Sequence, residues 1–139
     1  MIPTPILDAG PLIALLDKRD KYYSWALGEL SNHPATITCE AVLTEVVYRI
    51  RGHRPAFDSI TSLIAKGLIR CTFNFQPNSS YVLDAMKTYE NVPMDFADAC
   101  LMAMSEQNPD SPIITIDGDF RIYRRNNGSI PSLIVPPGV

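Results

Sequence analysis

The chain has 139 residues, of which 46% are hydrophobic and 19% are charged, proportions that argue against a disordered chain or a coiled coil. A chain of this length can bury a core of its own, so we expect a single domain spanning residues 1–139. The net charge of −3 excludes a general attraction for polyanions, so RNA binding would need a local basic patch or bound cations.

Short apolar runs alternate with helical patterns along the whole chain. Ala9-Gly10-Pro11 follows the first run and predicts a turn into a helix. The predicted elements are a strand over 4–7, helices over 12–17 and 20–30, a strand over 35–38, helices over 39–50 and 55–66, a strand within 68–75, helices over 78–90 and 95–107, and a strand over 113–116. This alternation predicts a parallel sheet that helices cover on both faces.

No apolar run approaches the ~18 residues that a membrane-spanning helix needs. Met1–Pro3 contains no basic residue of the kind that begins a secretion signal, so we expect a cytoplasmic protein. The three cysteines, Cys39, Cys71 and Cys100, are odd in number, lie far apart and form no CxxC pair. Neither a zinc site nor a disulfide framework is expected.

Acidic side chains occupy comparable places in this pattern. Asp8 and Asp117 each end a predicted strand, Asp95 and Asp98 open a helix, and Glu45 lies on another helix. Ligands of open parallel sheets bind beyond the carboxyl ends of the strands, so these acids should meet there. Clustered carboxylates repel one another, and Mg²⁺ or Mn²⁺, which prefer oxygen ligands, would offset that repulsion. The pattern therefore indicates metal-assisted hydrolysis of a phosphodiester.

Asp8 and Asp117 also have an ordinary structural explanation. Asp8 could be a turn residue, because aspartate accepts hydrogen bonds from the backbone that follows it. Asp117-Gly118-Asp119 could equally be a plain turn. The sequence alone leaves both explanations open.

The helical acids have ordinary explanations as well. Glu45 could be a solvated residue paired with Arg49 one helical turn later. Asp95 could be a helix N-cap, and Asp98 an acid that favours the positive end of the same helix. It is the shared placement of the acids, rather than any one of them, that favours a site.

Four segments of the chain resemble the PIN-domain family and, within it, the VapC-like toxin ribonucleases. They are Ile6 to Leu15 (ILDAGPLIAL), Thr38 to Glu45 (TCEAVLTE), Pro93 to Leu101 (PMDFADACL) and Thr115 to Phe120 (TIDGDF). They occur in the family's order and span nearly the whole chain. The resemblance implies a three-layer α/β/α sandwich with a central parallel sheet.

The resemblance also implies an Mg²⁺- or Mn²⁺-dependent endoribonuclease, often paired with a VapB-type antitoxin. Asp8, Glu45, Asp98 and Asp117 correspond to the family's four catalytic acids, and Asp8, Asp98 and Asp117 are the expected metal ligands. A homodimer is expected by the same analogy.

Further positions are assigned from the same resemblance. Thr115 matches a small hydroxyl residue that could orient a water or a carboxylate, and Asp95 and Asp119 are supporting acids. Many members of the family carry Ser or Thr after the first acid, where this chain has Ala9. That departure removes one possible hydroxyl contact with the substrate.

Two groups of side chains are candidates for binding partners. An aromatic group on the second helix could contact an antitoxin or a second copy, or could simply be core. Arginines after the second and fourth acids could bind RNA phosphates, or could serve solubility and helix ends. The aromatic group is Tyr22, Tyr23 and Trp25; the arginines are Arg49, Arg51 and Arg54, followed by Arg121, Arg124 and Arg125.

Other functions remain open at this stage. The chain could be a PIN nuclease without an antitoxin, or a binding module that has kept the fold without catalysis. A haloacid-dehalogenase-like phosphatase would need a second aspartate at the position of Gly10. A receiver-like domain would need an acidic pair near the amino end and a suitably placed lysine, and neither is evident.

Overall fold

A computed structural model describes residues 3–139; Met1 and Ile2, part of the segment considered above for a secretion signal, lie outside it. The elements in chain order are β1 (Ile6–Leu7), α1 (Ala9–Leu15), α2 (Tyr23–Ser31), β2 (Thr36–Thr38), α3 (Glu40–Ile50), α4 (Arg54–Ala65), β3 (Ile69–Cys71), α5 (Phe75–Thr88), α6 (Phe96–Gln107), β4 (Ile113–Ile114), a 3₁₀ helix (Gly118–Arg121) and β5 (Leu133–Ile134). No helix within residues 3–139 is long and apolar enough to cross a membrane.

The strands form one parallel sheet in the order β3-β2-β1-β4-β5. β1 lies in the middle, and its Ile6 and Leu7 are fully buried, as are Ile113 and Ile114 of β4. Strands buried on both faces need helices above and below them. The predicted α/β/α sandwich with a central parallel sheet is therefore confirmed.

The α6 helix forms the middle of the core. Every residue from Ala97 to Ser105 is buried, and the helix contacts α5, α3 and β1. A helix that is apolar on all sides must be enclosed by protein. The first turn of α6, which carries Asp98, is thereby held at a fixed place against the sheet.

The predicted secondary structure was wrong in several places: α2 begins at Tyr23 rather than at Asp20, and α5 begins at Phe75 rather than at Asn78. The helix α1 begins at Ala9 rather than at Leu12, so Ala9-Gly10-Pro11 is its first turn and no separate turn precedes it. Proline is tolerated there because the first amide groups of a helix have no intrahelical partner. In addition, the 3₁₀ helix and β5 were not predicted.

Gly10 allows α1 to pass close to the segment after β4. A Cβ atom built at Gly10 would lie 2.5 Å from Cγ1 of Ile116. That distance is far shorter than real carbon contacts, so one of the two segments would have to move. Close packing here keeps the start of α1 beside the strand end that leads to Asp117.

We expect Gly10→Ala to lower the free energy of unfolding by about 1–3 kcal/mol, the usual range for overpacking. Gly28→Ala is the matched control, because Gly28 lies in α2 with open space at its Cβ position. That change should raise the free energy of unfolding by up to about 1 kcal/mol through helix propensity. Urea denaturation measures the free energy of unfolding of both variants. If Gly10→Ala left that free energy unchanged, Ile116 would have to move aside without cost.

Candidate functional site

The pairing of β1 with β4 brings the two predicted strand-end acids together. Ile6 is in register with Ile113, and Leu7 with Ile114, so the next residues, Asp8 and Thr115, leave the sheet side by side. The Thr115 hydroxyl donates a hydrogen bond of 2.7 Å to Oδ2 of Asp8. The same hydroxyl oxygen accepts from the backbone N–H of Asp117 at 2.9 Å. Thr115 therefore connects Asp8 to the chain segment that carries Asp117.

Asp8 is a buried acid, with only 8% of its surface exposed. Its Oδ1 accepts a hydrogen bond of 2.7 Å from the Ala9 N–H, which caps α1. Burial raises the pKa of Asp8 to about 6, against the lowering effect of the hydrogen bonds from Thr115 and Ala9. The carboxylates of Glu45 and Asp117 raise it further.

Asp98 is the second buried acid and lies in the first turn of α6. Burial, followed by repulsion from Asp95 and Asp8, raises its pKa well above the usual range. The hydroxyl of the fully buried Tyr123 donates to Oδ2 of Asp98 at 3.0 Å and opposes that rise. Tyr123 was missed in the sequence, where an aromatic residue after the fourth acid looks like ordinary core.

Asp95 and Glu45 complete the acidic surroundings. Asp95 is the N-cap of α6, and its Oδ1 accepts from the Asp98 N–H at 2.7 Å. Glu45 lies on the exposed side of α3, and its pKa is raised by partial burial and then by the nearby Asp95 and Asp117, while Arg49 lowers it. Within residues 3–139, Glu45 and Arg49 form no ion pair.

Asp117 is half-buried and caps the 3₁₀ helix. Its Oδ1 accepts from the Asp119 N–H at 2.9 Å. Its pKa is raised by burial, and repulsion from Asp119 and Asp95 adds to the rise. The turn explanation and the site explanation of this segment are thus both compatible with the geometry.

The chemistry of this donor set fits a divalent cation. No lysine, arginine or histidine in the described part of the chain forms an ion pair with Asp8 or Asp98, although both are buried. As the side chains are placed, no three His, Cys, Asp or Glu residues among those described are arranged around one ion. Mg²⁺ does not require such a cage, because it is commonly held by one or two carboxylates, waters and a substrate phosphate.

The predicted RNA-binding arginines differ in how free they are. Arg49 is exposed on α3. Arg51 is exposed after α3, but its Nη1 donates to the Tyr48 carbonyl at 2.6 Å and its guanidinium lies 3.8 Å from the ring centre of Tyr48. Arg121 donates to the Val139 carbonyl at 2.9 Å. The remaining arginines hold the backbone: Arg124 Nη1 donates to the carbonyls of Arg121, Ile122 and Tyr123, and Arg125 Nη1 to those of Ser105 and Pro109.

The aromatic residues of the second predicted helix are only partly available to a partner. Trp25 is half-buried and packs against the core. Tyr22 and Tyr23 are half-buried as well. Trp25 is therefore explained by packing in the core. A role of Tyr22 and Tyr23 in binding a partner remains a prediction.

In EDTA, the free energy of unfolding should fall as the pH rises from about 4 to 8. Folding raises the pKa of Asp8 from 3.8 to about 6, so the stability present below pH 3.8 is lost as the pH passes 6. The pKa of Asp98 is also raised in the folded protein, so its ionisation likewise lowers the free energy of unfolding as the pH rises. Each pKa unit is worth about 1.4 kcal/mol, which makes the Asp8 contribution roughly 2–3 kcal/mol.

The double variant Asp8→Asn/Asp98→Asn should therefore be more stable than the parent at pH 8 in EDTA and should show a flatter pH dependence. Asp110→Asn, an exposed change before β4, is the control and should leave the profile unchanged. Thermal denaturation across the pH range measures this. A double variant that is less stable than the parent would show that the ionised acids serve the helix ends instead.

No family model and no curated protein sequence matches the chain. Among solved structures, the chain is similar to VapC20 of Mycobacterium tuberculosis, described as a toxin that cleaves the Sarcin-Ricin loop. The TM-score is 0.74 at 20% sequence identity, and the match covers 86% of this chain and 94% of that chain. Similarity at this level of identity shows a shared fold. The chain therefore has the α/β/α fold of a VapC-like PIN domain.

Proposed function

We propose that this protein is an Mg²⁺- or Mn²⁺-dependent endoribonuclease that hydrolyses RNA phosphodiester bonds in the cytoplasm, as the toxin of a VapBC-type pair. The observation that carries the proposal is the pair of buried carboxylates, Asp8 and Asp98, of which Asp8 raises the pKa of Asp98, while no cationic side chain within residues 3–139 pairs with either. The shared fold with VapC20, a toxin that cleaves RNA at the Sarcin-Ricin loop, supports the same reaction class.

Asp8 and Asp98 are the proposed ligands of the metal, with Asp117 and Glu45 in direct or water-mediated contact. A divalent cation held there would supply positive charge beside a scissile phosphate and would lower the pKa of a bound water. The raised pKa values of Asp8 and Asp98 are consistent with this assignment, since a cation would restore their ionised forms.

The chain's own hydroxyl groups orient these ligands. Thr115 donates to Oδ2 of Asp8, and Tyr123 donates to Oδ2 of Asp98. Each bond fixes the rotation of its carboxylate and leaves lone pairs free to face the crevice. Partners of this kind commonly tune the affinity of a metal site. Thr115 and Tyr123 are therefore positioning residues in the proposed reaction.

Arg49, Arg51, Arg121 and Arg124 are the proposed contacts to RNA phosphates. Arg49 is the better candidate, because the Nη1 of Arg124 already donates to three backbone carbonyls and the Nη1 of Arg51 to one. Arginine forks match phosphate oxygens and would offset the chain's net negative charge locally.

Two alternatives keep the same fold. A PIN nuclease without an antitoxin would use the same acids, and inspecting the neighbouring reading frame for a short antitoxin gene separates it from the toxin. A non-catalytic binding module is less favoured. Burying Asp8 and Asp98 lowers the stability of the fold, and a protein without a metal site would have no use for two buried carboxylates. The phosphatase and receiver alternatives receive no support from the fold comparison.

The purified protein, freed of any antitoxin, should cleave single-stranded RNA with Mg²⁺ or Mn²⁺ and should stop when EDTA is added. Asp8→Asn should lower the rate by at least about a hundredfold, because the groups that stabilise charge in a transition state are worth several kcal/mol. Asp110→Asn should retain the parental rate. Gel assays of labelled RNA measure the cleavage rate, and calorimetric titration measures Mn²⁺ binding by the same variants.

Further variants separate chemistry from binding in the same assay. Asp117→Asn should lower the rate more than RNA affinity, and Arg49→Ala should weaken affinity and reduce its salt dependence. Activity that survives both EDTA and Asp8→Asn would defeat the metal-nuclease proposal. Unchanged Mn²⁺ binding by Asp8→Asn/Asp98→Asn would show that the metal site is misplaced.

A homodimer is the proposed assembly, with the half-buried tyrosines of α2 as part of the contact. Assembly depends on protein concentration, so sedimentation should show a species of twice the 15.4 kDa chain at micromolar concentration. Tyr23→Ser should shift the distribution toward the monomer. A single species of chain mass throughout this range would reject the dimer.

A further inference from the structure

A groove with exposed aromatic rings opens directly beside the acidic crevice. Tyr48, at the end of α3, is 61% exposed, and Phe96, the first residue of α6, is 39% exposed. Large apolar side chains on a surface often mark a binding site when they share one depression. The residues lining the groove are Glu40, Ala41, Thr44, Glu45, Tyr48, Asp95, Phe96 and Ala97.

The groove adjoins the proposed metal site. Glu45, which belongs to that site, lines the groove, and so does Asp95, whose Oδ1 accepts a hydrogen bond of 2.7 Å from the Asp98 N–H. A chain molecule whose phosphate is held near Asp8 and Asp98 would therefore pass its next unit into this groove. Phe96 is supported from behind by Phe75, whose ring centre is 5.4 Å away in a tilted arrangement.

The charges of the groove select against a phosphate and for a neutral ring. Glu40, Glu45 and Asp95 would repel a phosphate placed among them. They would accept hydrogen bonds from the amino and imino groups of a nucleobase. The Arg51 guanidinium lies 3.8 Å from the ring centre of Tyr48 and therefore covers one face of that ring. A flat, uncharged ring with N–H donors would stack on the other face of Tyr48, which is 61% exposed, and beside Phe96.

We infer that this groove is a nucleobase subsite, in which Tyr48 and Phe96 stack a base of single-stranded RNA next to the phosphate held at the acids. The inference rests on the proposed function for the identity of the substrate and extends it to a specificity element. Bases of single-stranded RNA are commonly recognised by stacking on aromatic side chains. Duplex RNA would not present a free base and would be excluded from the groove.

The test removes the ring and the base separately. Binding is measured with Mg²⁺ in the Asp117→Asn background, in which the cleavage rate is expected to fall more than the RNA affinity. A short single-stranded RNA is used intact and with its base removed at one position at a time. In the protein that keeps Tyr48, removing the base at one position of the RNA should lower the affinity for that RNA about tenfold, as expected for one stacked base. With Tyr48→Ala added, the intact RNA should bind about tenfold more weakly, and base removal at that position should cost nothing further.

Tyr48→Phe should retain parental affinity, because the ring alone is needed, and Leu83→Ala, an exposed apolar change on α5, should also retain it. Equal affinity for intact RNA with and without Tyr48→Ala would overturn the subsite and leave a protein segment as the occupant of the groove. Tyr48-dependent binding in a protein that shows no cleavage would uphold the subsite and refute the nuclease instead.

Discussion

The burial of two carboxylates in one crevice is the constraint around which this molecule is organised. Asp8 and Asp98 both lie beneath the surface, and burial raises the pKa of each. The fold offsets part of that cost with hydrogen bonds from the Ala9 N–H and from the hydroxyls of Thr115 and Tyr123. The two hydroxyl donors lie in the segment after β4, 107 positions from Asp8 and 25 positions from Asp98, so part of the cost of burying the acids is offset by residues distant in the sequence.

The structural and chemical explanations of the acids turn out to be compatible. Asp8 caps α1, Asp95 caps α6 and Asp117 caps the 3₁₀ helix. An aspartate at an N-cap accepts a backbone N–H with one oxygen and lies near the positive end of the helix. Its other oxygen can contact a second partner, as Oδ2 of Asp8 does when it accepts the hydrogen bond from Thr115. A capping role therefore holds a carboxylate in place without using up its capacity to bind a cation.

The sequence predicted those parts of the site that follow from strand order and helix periodicity. Parallel pairing brought the ends of β1 and β4 together, as expected for Asp8 and the segment of Asp117. Tyr123 was not predictable, because its contact with Asp98 depends on how the 3₁₀ helix turns the chain, and no periodicity reports that. The early start of α1 was missed because glycine and proline usually indicate a turn, whereas Gly10 is needed here for close packing against Ile116. β5 was missed because its two residues lie between Pro131 and Pro136-Pro137, and prolines usually indicate a loop.

The hydrogen bond between Thr115 and Asp8 joins residues 107 positions apart. During synthesis β1 and its first neighbour in the sheet, β2, are made early, but β1 must wait for β4 before its second neighbour exists. Contacts of such long sequence separation form late, after the entropy of closing the intervening chain has been lost. A partly synthesised chain, or one truncated before β4, would hold Asp8 without Thr115 or Asp117. The order of translation thus delays the completion of the acidic site until Thr115 and Asp117 have been made.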